Sequence, residues 1–356
     1  MTNTIFIKIL FLTAIFIIGI ASLFNFIIDP YQQYRKPILY KTFYGGNQRA
    51  FNPGLARNHD YNSIIIGSSM TENFLISKSS ELLNNPIKLS ISGGSAHEIF
   101  LTLNSAFAND KKIDTVLLGF DIYAVSGKPT RLRHGGDSIP LYLYDQNIFN
   151  DMFYLANFDT LKDSAKILVA PYTSYKHDPR WNYEHMYQWQ HQHNKNFRKE
   201  KVLKQYKEAK PAKIDTSNDY SFETMKKSFE YNFLSIVKDY PEIDFIFFYP
   251  PYSIIAYKRW EENGTLDDIL KFKAYAAEKF SSINNVKIYD FQNAFEVTTN
   301  LDNYKDFTHY SQEINNWIID QITADNFLVT KQNIDNHLQN LRQQIQAYDL
   351  NTTLKN

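Results

Sequence analysis

Five short apolar runs, each closed by glycine, proline or a small polar residue, set the architecture available to this chain. They are Ser63-Ile64-Ile65-Ile66 before Gly67, Ile87 to Ile91 before Ser92-Gly93-Gly94, and Asp114 to Gly119. Ile243 to Tyr249 follows, stopped by Pro250-Pro251, and then Val286 to Tyr289. Between the early runs, Met70 to Leu83 and Ala96 to Ala108 carry helical patterns. Fully apolar strands alternating with helices predict an α/β fold with a parallel sheet of five strands. Such sheets bind ligands at the carboxyl ends of their strands, so the residues just after each run are the ones to inspect.

The ends of the chain are different in kind. Ile9 to Ile28 carries no charge, and Asp29-Pro30 stops it. Twenty helical residues span roughly 30 Å, the thickness of a bilayer core. Residues 1–30 are therefore read as a transmembrane anchor. A cleaved signal peptide is the rival, but its apolar stretch is usually only about 7–15 residues and ends at a small-residue cleavage site. Arg35, Lys36 and Lys41 follow the run, so the positive-inside rule does not favour an outside body. Tyr31 to Asn62 reads as a juxtamembrane segment broken by Gly, Pro and Asn. A stretch from about 128 to 219, rich in Tyr, Trp, His and Asn, interrupts a domain spanning 31–329. A segment that long inside a compact domain is expected to be an inserted cap or lid. In the remaining 330–356 segment, Ile334, Leu338, Leu341 and Ile345 form one helical stripe, suited to packing on the domain or on a partner helix.

Composition excludes some chemistry. The chain of 356 residues has no cysteine, which rules out disulfides, thiol catalysis and cysteine-ligated zinc. Its formal net charge is zero, which argues against nucleic acid as a partner.

Two places remain for nucleophilic chemistry. Ser69 lies in Gly67-Ser68-Ser69-Met70, at a strand end and a predicted helix start. Its hydroxyl would sit near the positive end of that helix, and its own N–H can hold an oxyanion. A serine there also serves as a plain helix cap. Asp306-Phe307-Thr308-His309 precedes an amphipathic helix marked by Ile314, Trp317, Ile318 and Ile322, with Ser311 as its candidate N-cap. Serine needs a base to take its proton, and His309 can be that base, with Asp306 fixing its tautomer.

The ordered set of blocks resembles the SGNH (GDSL-like) hydrolases. These carry Gly-x-Ser after the first strand, Ser-Gly after the second, Gly-x-Asn after the third and Asp-x-x-His near the end. Here they read Gly67-Ser68-Ser69, Ser90-Ile91-Ser92-Gly93-Gly94, Gly119-Phe120-Asp121 and Asp306 to His309. The resemblance spans Asn62 to about Thr323 apart from the insertion. It implies a flavodoxin-like doubly wound sheet with Ser69 as nucleophile, His309 as base and Asp306 as its orienter. Ser69, Gly93 and Asp121 would form the oxyanion hole, and no cofactor is implied.

Asp121 stands where the family has Asn. An ionised carboxylate accepts hydrogen bonds and donates none, and losing one oxyanion donor costs roughly 10²–10³ in rate. Asp121 is therefore protonated, or a backbone N–H or another side chain supplies the donor, or the site works slowly, or Asp121 is structural and bonded to the Ser69 turn.

One anchor, a Gly-Ser-Ser block and a long insertion are similar to envelope proteins that work with membrane-bound O-acyltransferases. Those include the lipoteichoic-acid D-alanylation and alginate O-acetylation proteins. This likeness implies an extracytoplasmic body, a membrane-bound O-acyltransferase partner and acyl transfer or ester hydrolysis on a glycan or glycopolymer. The Asp121 departure also suits a non-catalytic polysaccharide-binding or assembly subunit.

Other residues are weaker candidates. His185, His191 and His193 lie among Trp181, Tyr183, Tyr187 and Trp189 without metal-ligand spacing, so no metal is expected. Trp181 and Trp189 are candidate sugar-stacking residues, or parts of a packed lid. Arg131, Arg133 and His134 before Gly135-Gly136 are candidates for an anionic ligand, or for surface ion pairs. Pro250-Pro251-Tyr252 is expected at the pocket rim, and His97 to pack locally.

Overall fold

The computed structural model describes residues 3–109, 111–133, 139–209 and 211–355. His134 and the two glycines after it lie outside the described residues. Five parallel strands form one sheet: β1 (Ser63–Ile66), β2 (Pro86–Lys88), β3 (Thr115–Gly119), β4 (Asp244–Tyr249) and β5 (Val286–Asp290). Their order is β2-β1-β3-β4-β5. Successive strand residues point to opposite faces, and both faces are covered. Ile64, Ile66, Val116, Leu118, Phe245 and Phe247 join a core built with helices Ala96–Phe107, Phe222–Phe229 and Leu266–Phe280. Ile65, Leu117, Phe248 and Tyr289 join a second core, with helices Ile254–Glu262, Gln312–Thr323 and Ile334–Ala347. Burial on both faces is why the strands are apolar at nearly every position.

Three sequence expectations are corrected. The β2 ladder ends at Lys88 rather than Ile91, although Leu89 N and Ile91 N still donate to Ile65 O and Gly67 O at 2.8 and 2.9 Å. The supposedly broken segment 31–62 contains a buried helix, α2 (Gln48–Asn58), with Pro53 inside it. Proline removes the N–H that would bond the carbonyl four residues earlier. That orphaned carbonyl, Arg49 O, accepts the Tyr144 hydroxyl at 2.8 Å instead. Third, Met70 to Leu83 is not one helix. It holds only a 3₁₀ turn, Ser69–Thr71, and a short helix, Ile76–Ser79. The carbonyls a longer helix would need are taken by side chains from elsewhere. Trp189 Nε1 bonds Ser69 O at 3.1 Å, Asn315 Nδ2 bonds Met70 O at 3.0 Å, and Lys88 Nζ bonds Glu72 O at 2.7 Å.

The apolar N-terminal run is one helix, α1 (Asn3–Ile28), long and apolar enough to cross a membrane. Its last turns are docked on the insertion. Asn25 Nδ2 donates to Leu155 O at 2.8 Å, and Ser164 Oγ donates to Asn25 Oδ1 at 2.9 Å. Asp29 then collects the N–H groups of Gln33 and Tyr34, each at 2.8 Å, and the Tyr154 hydroxyl at 2.9 Å. The insertion holds the helix Phe158–Val169, a series of 3₁₀ turns and the helix Lys199–Glu208. The C-terminal stripe packs on the domain itself, with Leu341 and Ile345 buried in the second core.

Tyr144→Phe removes the hydroxyl that donates to the Arg49 carbonyl and that also hydrogen-bonds Thr102. Urea unfolding is expected to show a loss of about 1–3 kcal/mol, the cost of an unsatisfied buried acceptor. An unchanged stability would mean that water reaches that carbonyl.

Candidate active site

The carboxyl ends of β1 and β3 approach closely because Gly67 follows β1 and Gly119 ends β3. A Cβ on Gly67 would lie 3.2 Å from the Gly119 Cα, and one on Gly119 would lie 2.7 Å from the Thr71 methyl. The Thr71 hydroxyl donates back to Ser68 O at 2.9 Å and closes the 3₁₀ turn that starts at Ser69. With its carbonyls held by Trp189, Asn315 and Lys88, this turn is fixed from outside.

The acid–base loop is built from its own residues. Tyr304 and Tyr310 pair as an antiparallel bridge, and Lys305 N donates to His309 O at 3.0 Å. Inside the loop Asp306 Oδ1 accepts from Thr308 N at 3.0 Å and from His309 N at 2.8 Å. The same carboxylate accepts the His309 ring, with Nδ1 2.8 Å from Oδ2. The spacing of three therefore lets one aspartate fold the turn and orient the imidazole. Ser253 clamps the loop to the end of β4, its N–H and hydroxyl both donating to Phe307 O, at 3.1 and 2.6 Å. The result places His309 Nε2 2.8 Å from Ser69 Oγ. Burial alone would raise the Asp306 pKa; the hydrogen bond and charge of His309, with the two loop N–H groups, overcome it and hold it at about 2. In chemical terms this is a serine, a base within proton-transfer distance and a carboxylate fixing the base.

Among the described residues, the N–H groups of Ser69 and Gly93 donate to no protein acceptor, and both residues line the same cleft. Gly93 has φ +57°, and a Cβ there would collide with the Arg133 guanidinium. Asp121 lines the cleft too, but as an acceptor. It takes the Ser68 hydroxyl at 2.6 Å, the Tyr123 N–H at 3.1 Å and the Tyr252 hydroxyl. Burial raises its pKa, against the lowering effect of the bond from Ser68. Its observed place is the structural one, bonded to Ser68 beside Ser69.

The cleft has a volume of about 500 Å³. Trp189 lines it, with its ring edge-on to His309 at 5.5 Å and Lys305 Nζ 4.0 Å over its face. Arg133 also lines it and donates to Ser92 O at 2.7 Å. Two candidate binding residues lie elsewhere. The Trp181 indole packs on Phe43 and donates to Tyr175 O at 2.7 Å, outside this cleft. Arg131 donates to Ser126 O at 2.8 Å and Tyr123 O at 2.6 Å and stacks on the Tyr123 ring, so it caps a helix end.

The remaining aromatic candidates also have structural partners. Tyr183 and Tyr187 point inward, donating to Pro86 O at 2.9 Å and Asn52 Oδ1 at 2.6 Å. His97 bonds Asn232 at 3.0 Å and stacks on Phe100. Of Pro250-Pro251-Tyr252, Tyr252 lines the cleft, as a buried residue rather than a rim residue. Sequence reasoning missed Glu72, Tyr220, Trp260 and Lys305, all cleft-lining. Lys305 was legible only as the neighbour of Asp306; the others belong to no motif. No cluster of three or more potential metal ligands occurs among the described residues.

No family model and no curated protein matches the chain. It is similar to a solved structure named provisionally for platelet activating factor, from Streptococcus pneumonia, with 11% identity and a TM-score of 0.37. The match covers 78% of this chain and 90% of that one.

Two measurements test this geometry. Asp306 is held below the ordinary value of 3.8, so its contribution to stability is complete above that pH and disappears as pH falls through about 2. The melting temperature of the wild type is expected to exceed that of Asp306→Asn near neutrality and to converge with it at the acid end; parallel curves would contradict the assignment. Asp121→Ala strands the Ser68 and Tyr252 hydroxyls and is expected to lose more stability than Asp121→Asn, by about 1–3 kcal/mol for each unpaired group, in chemical unfolding.

Proposed function

We propose that the chain is an SGNH-type serine enzyme, on a flavodoxin-like doubly wound sheet, that transfers or hydrolyses acyl esters on a cell-envelope polysaccharide or glycopolymer. In this reading α1 anchors it as a single-pass membrane protein with its bulk outside the cytoplasm, and its partner is a membrane-bound O-acyltransferase. One observation carries the proposal: the continuous hydrogen-bonded series Ser69 Oγ, His309 Nε2, His309 Nδ1 and Asp306. The strand order supports it, because β1 and β3 flank the point where the connections reverse direction, the usual ligand site of such sheets.

The reaction follows from the arrangement. Ser69 Oγ attacks the ester carbonyl while His309 Nε2 takes its proton. Asp306 stabilises the imidazolium that forms. The free N–H groups of Ser69 and Gly93 hold the oxyanion. The intermediate collapses, His309 returns the proton to the departing alcohol, and an acyl-serine remains. A sugar hydroxyl or water, deprotonated by His309, then takes the acyl group. With Asp121 occupied as an acceptor, this oxyanion hole works with two donors, which implies slower turnover than a three-donor site, by roughly 10²–10³.

Asp121 favours a second reading, a polysaccharide-binding or assembly subunit that does no chemistry. A fluorophosphonate probe separates the two. Labelling of the purified protein at Ser69, with loss of p-nitrophenyl acetate turnover in folded His309→Ala by on the order of 10³-fold or more, is expected of the enzyme. Glycan binding that survives Ser69→Ala, with no labelling and no ester cleavage in the wild type, selects the binding subunit.

A further inference from the structure

The insertion carries large apolar side chains on the outside, close to where α1 ends. Phe149 is 85% exposed, Ile148 73%, Met152 62%, Phe153 60%, Phe158 77% and Tyr172 88%. Single exposed apolar residues are ordinary on soluble surfaces, but grouped ones mark a contact surface. The helix Phe158–Val169 reverses the usual pattern at its ends and centre. Its fully buried residues are Thr160 and Ser164, while Phe158 and Val169 are exposed.

Position identifies what covers them. α1 packs against Phe158–Val169 and against the short helix Met152–Leu155. Asn25, the residue joined to Leu155 and Ser164, is three residues from the end of α1, which is about 4.5 Å along the helix axis. Since the uncharged run of α1 matches a hydrocarbon layer of roughly 30 Å, Asn25 lies just inside the edge of that layer. The segment bonded to it is held at the same depth. Tyr31 OH donates to Asp163 at 2.7 Å and Tyr34 OH to Asp151 at 3.1 Å, so the attachment continues on the body side of Asn25. Interfacial elements reach about 5–10 Å into the headgroup and acyl boundary, enough to immerse Met152 and Phe153, next to Leu155.

We infer that the exposed apolar residues of segment 148–158, with Tyr172, form a collar that enters the lipid interface beside α1 and fixes the body against the membrane surface. This rests on the anchor reading of α1, and its occupant is the lipid surface itself. Burial there would be continuous with the lipid-facing surface of α1.

The absence of cysteine from the chain makes the test direct. Single cysteines are introduced at Phe149, Phe153 and Phe158, at Phe16 within α1, and at Phe295, an exposed residue after β5. Each full-length variant is labelled with an environment-sensitive fluorophore in phosphatidylcholine nanodiscs, with and without doxyl-labelled phosphatidylcholine. Labels at Phe149, Phe153 and Phe158 are expected to shift blue and to be quenched nearly as strongly as the label at Phe16, while Phe295 stays unquenched. Quenching at Phe16 with water-exposed emission at all three insertion sites would overturn the collar and leave a protein partner as the occupant of that surface. Absence of quenching at Phe16 would overturn the anchor and the collar together.

Discussion

One buried carboxyl side chain holds the carboxyl edge of the sheet together. Asp121 follows β3, receives the Ser68 hydroxyl from the turn after β1, and receives the Tyr252 hydroxyl from the turn after β4. Three strand ends therefore meet on one side chain. Removing it would leave several buried donors unpaired, which is more expensive than any single hydrogen bond is favourable. Ser69, Trp189 and the His309 loop are placed relative to that junction. The residue bonded beside Ser69 is thus the one that stands where the resembled pattern has Asn, and positioning is the role its contacts support.

The sheet was legible because parallel strands buried on both faces leave uninterrupted apolar runs, and because Gly67, Gly93 and the Pro250-Pro251 pair punctuate them. The pairing of Asp306 with His309 was legible because a spacing of three allows one carboxylate to close a turn and reach the ring. What stayed hidden depended on distant partners. Nothing local in Met70 to Leu83 announces that Asn315, Lys88 and Trp189 take its carbonyls, and so the helix forecast there failed. Pro53 looked like a breaker because Tyr144, which satisfies the carbonyl it orphans, is far away in sequence. Trp181 and Trp189 are alike in composition and context; only tertiary packing sends one indole under the insertion and the other to the cleft.

Two attachments of the insertion stand out by what they join. In one, Leu155 and Ser164 grip α1. In the other, Lys88 Nζ donates to Met186 O at 2.7 Å and Trp189 reaches Ser69 O. Burial pushes the Lys88 ammonium down to about 7, so this second attachment includes a cation that the interior disfavours. A segment with little periodicity is nevertheless held at many points, by side-chain bonds rather than by ladders. That explains why pattern analysis saw only a long interruption.

The loop from Tyr304 to Tyr310 has a wider consequence. It encloses Asp306 and His309 in one closed turn, with their mutual geometry settled internally by Asp306. Its docking to the sheet runs through the Ser253 clamp on Phe307 O and the Tyr304 hydroxyl, which donates to Pro251 O at 2.8 Å. The Tyr310 hydroxyl, at the other end of the loop, donates to Met70 O at 3.3 Å. The same loop is thus tied both to the end of β4 and to the turn that carries Ser69, so contacts on two strand ends together set the distance between Ser69 and His309.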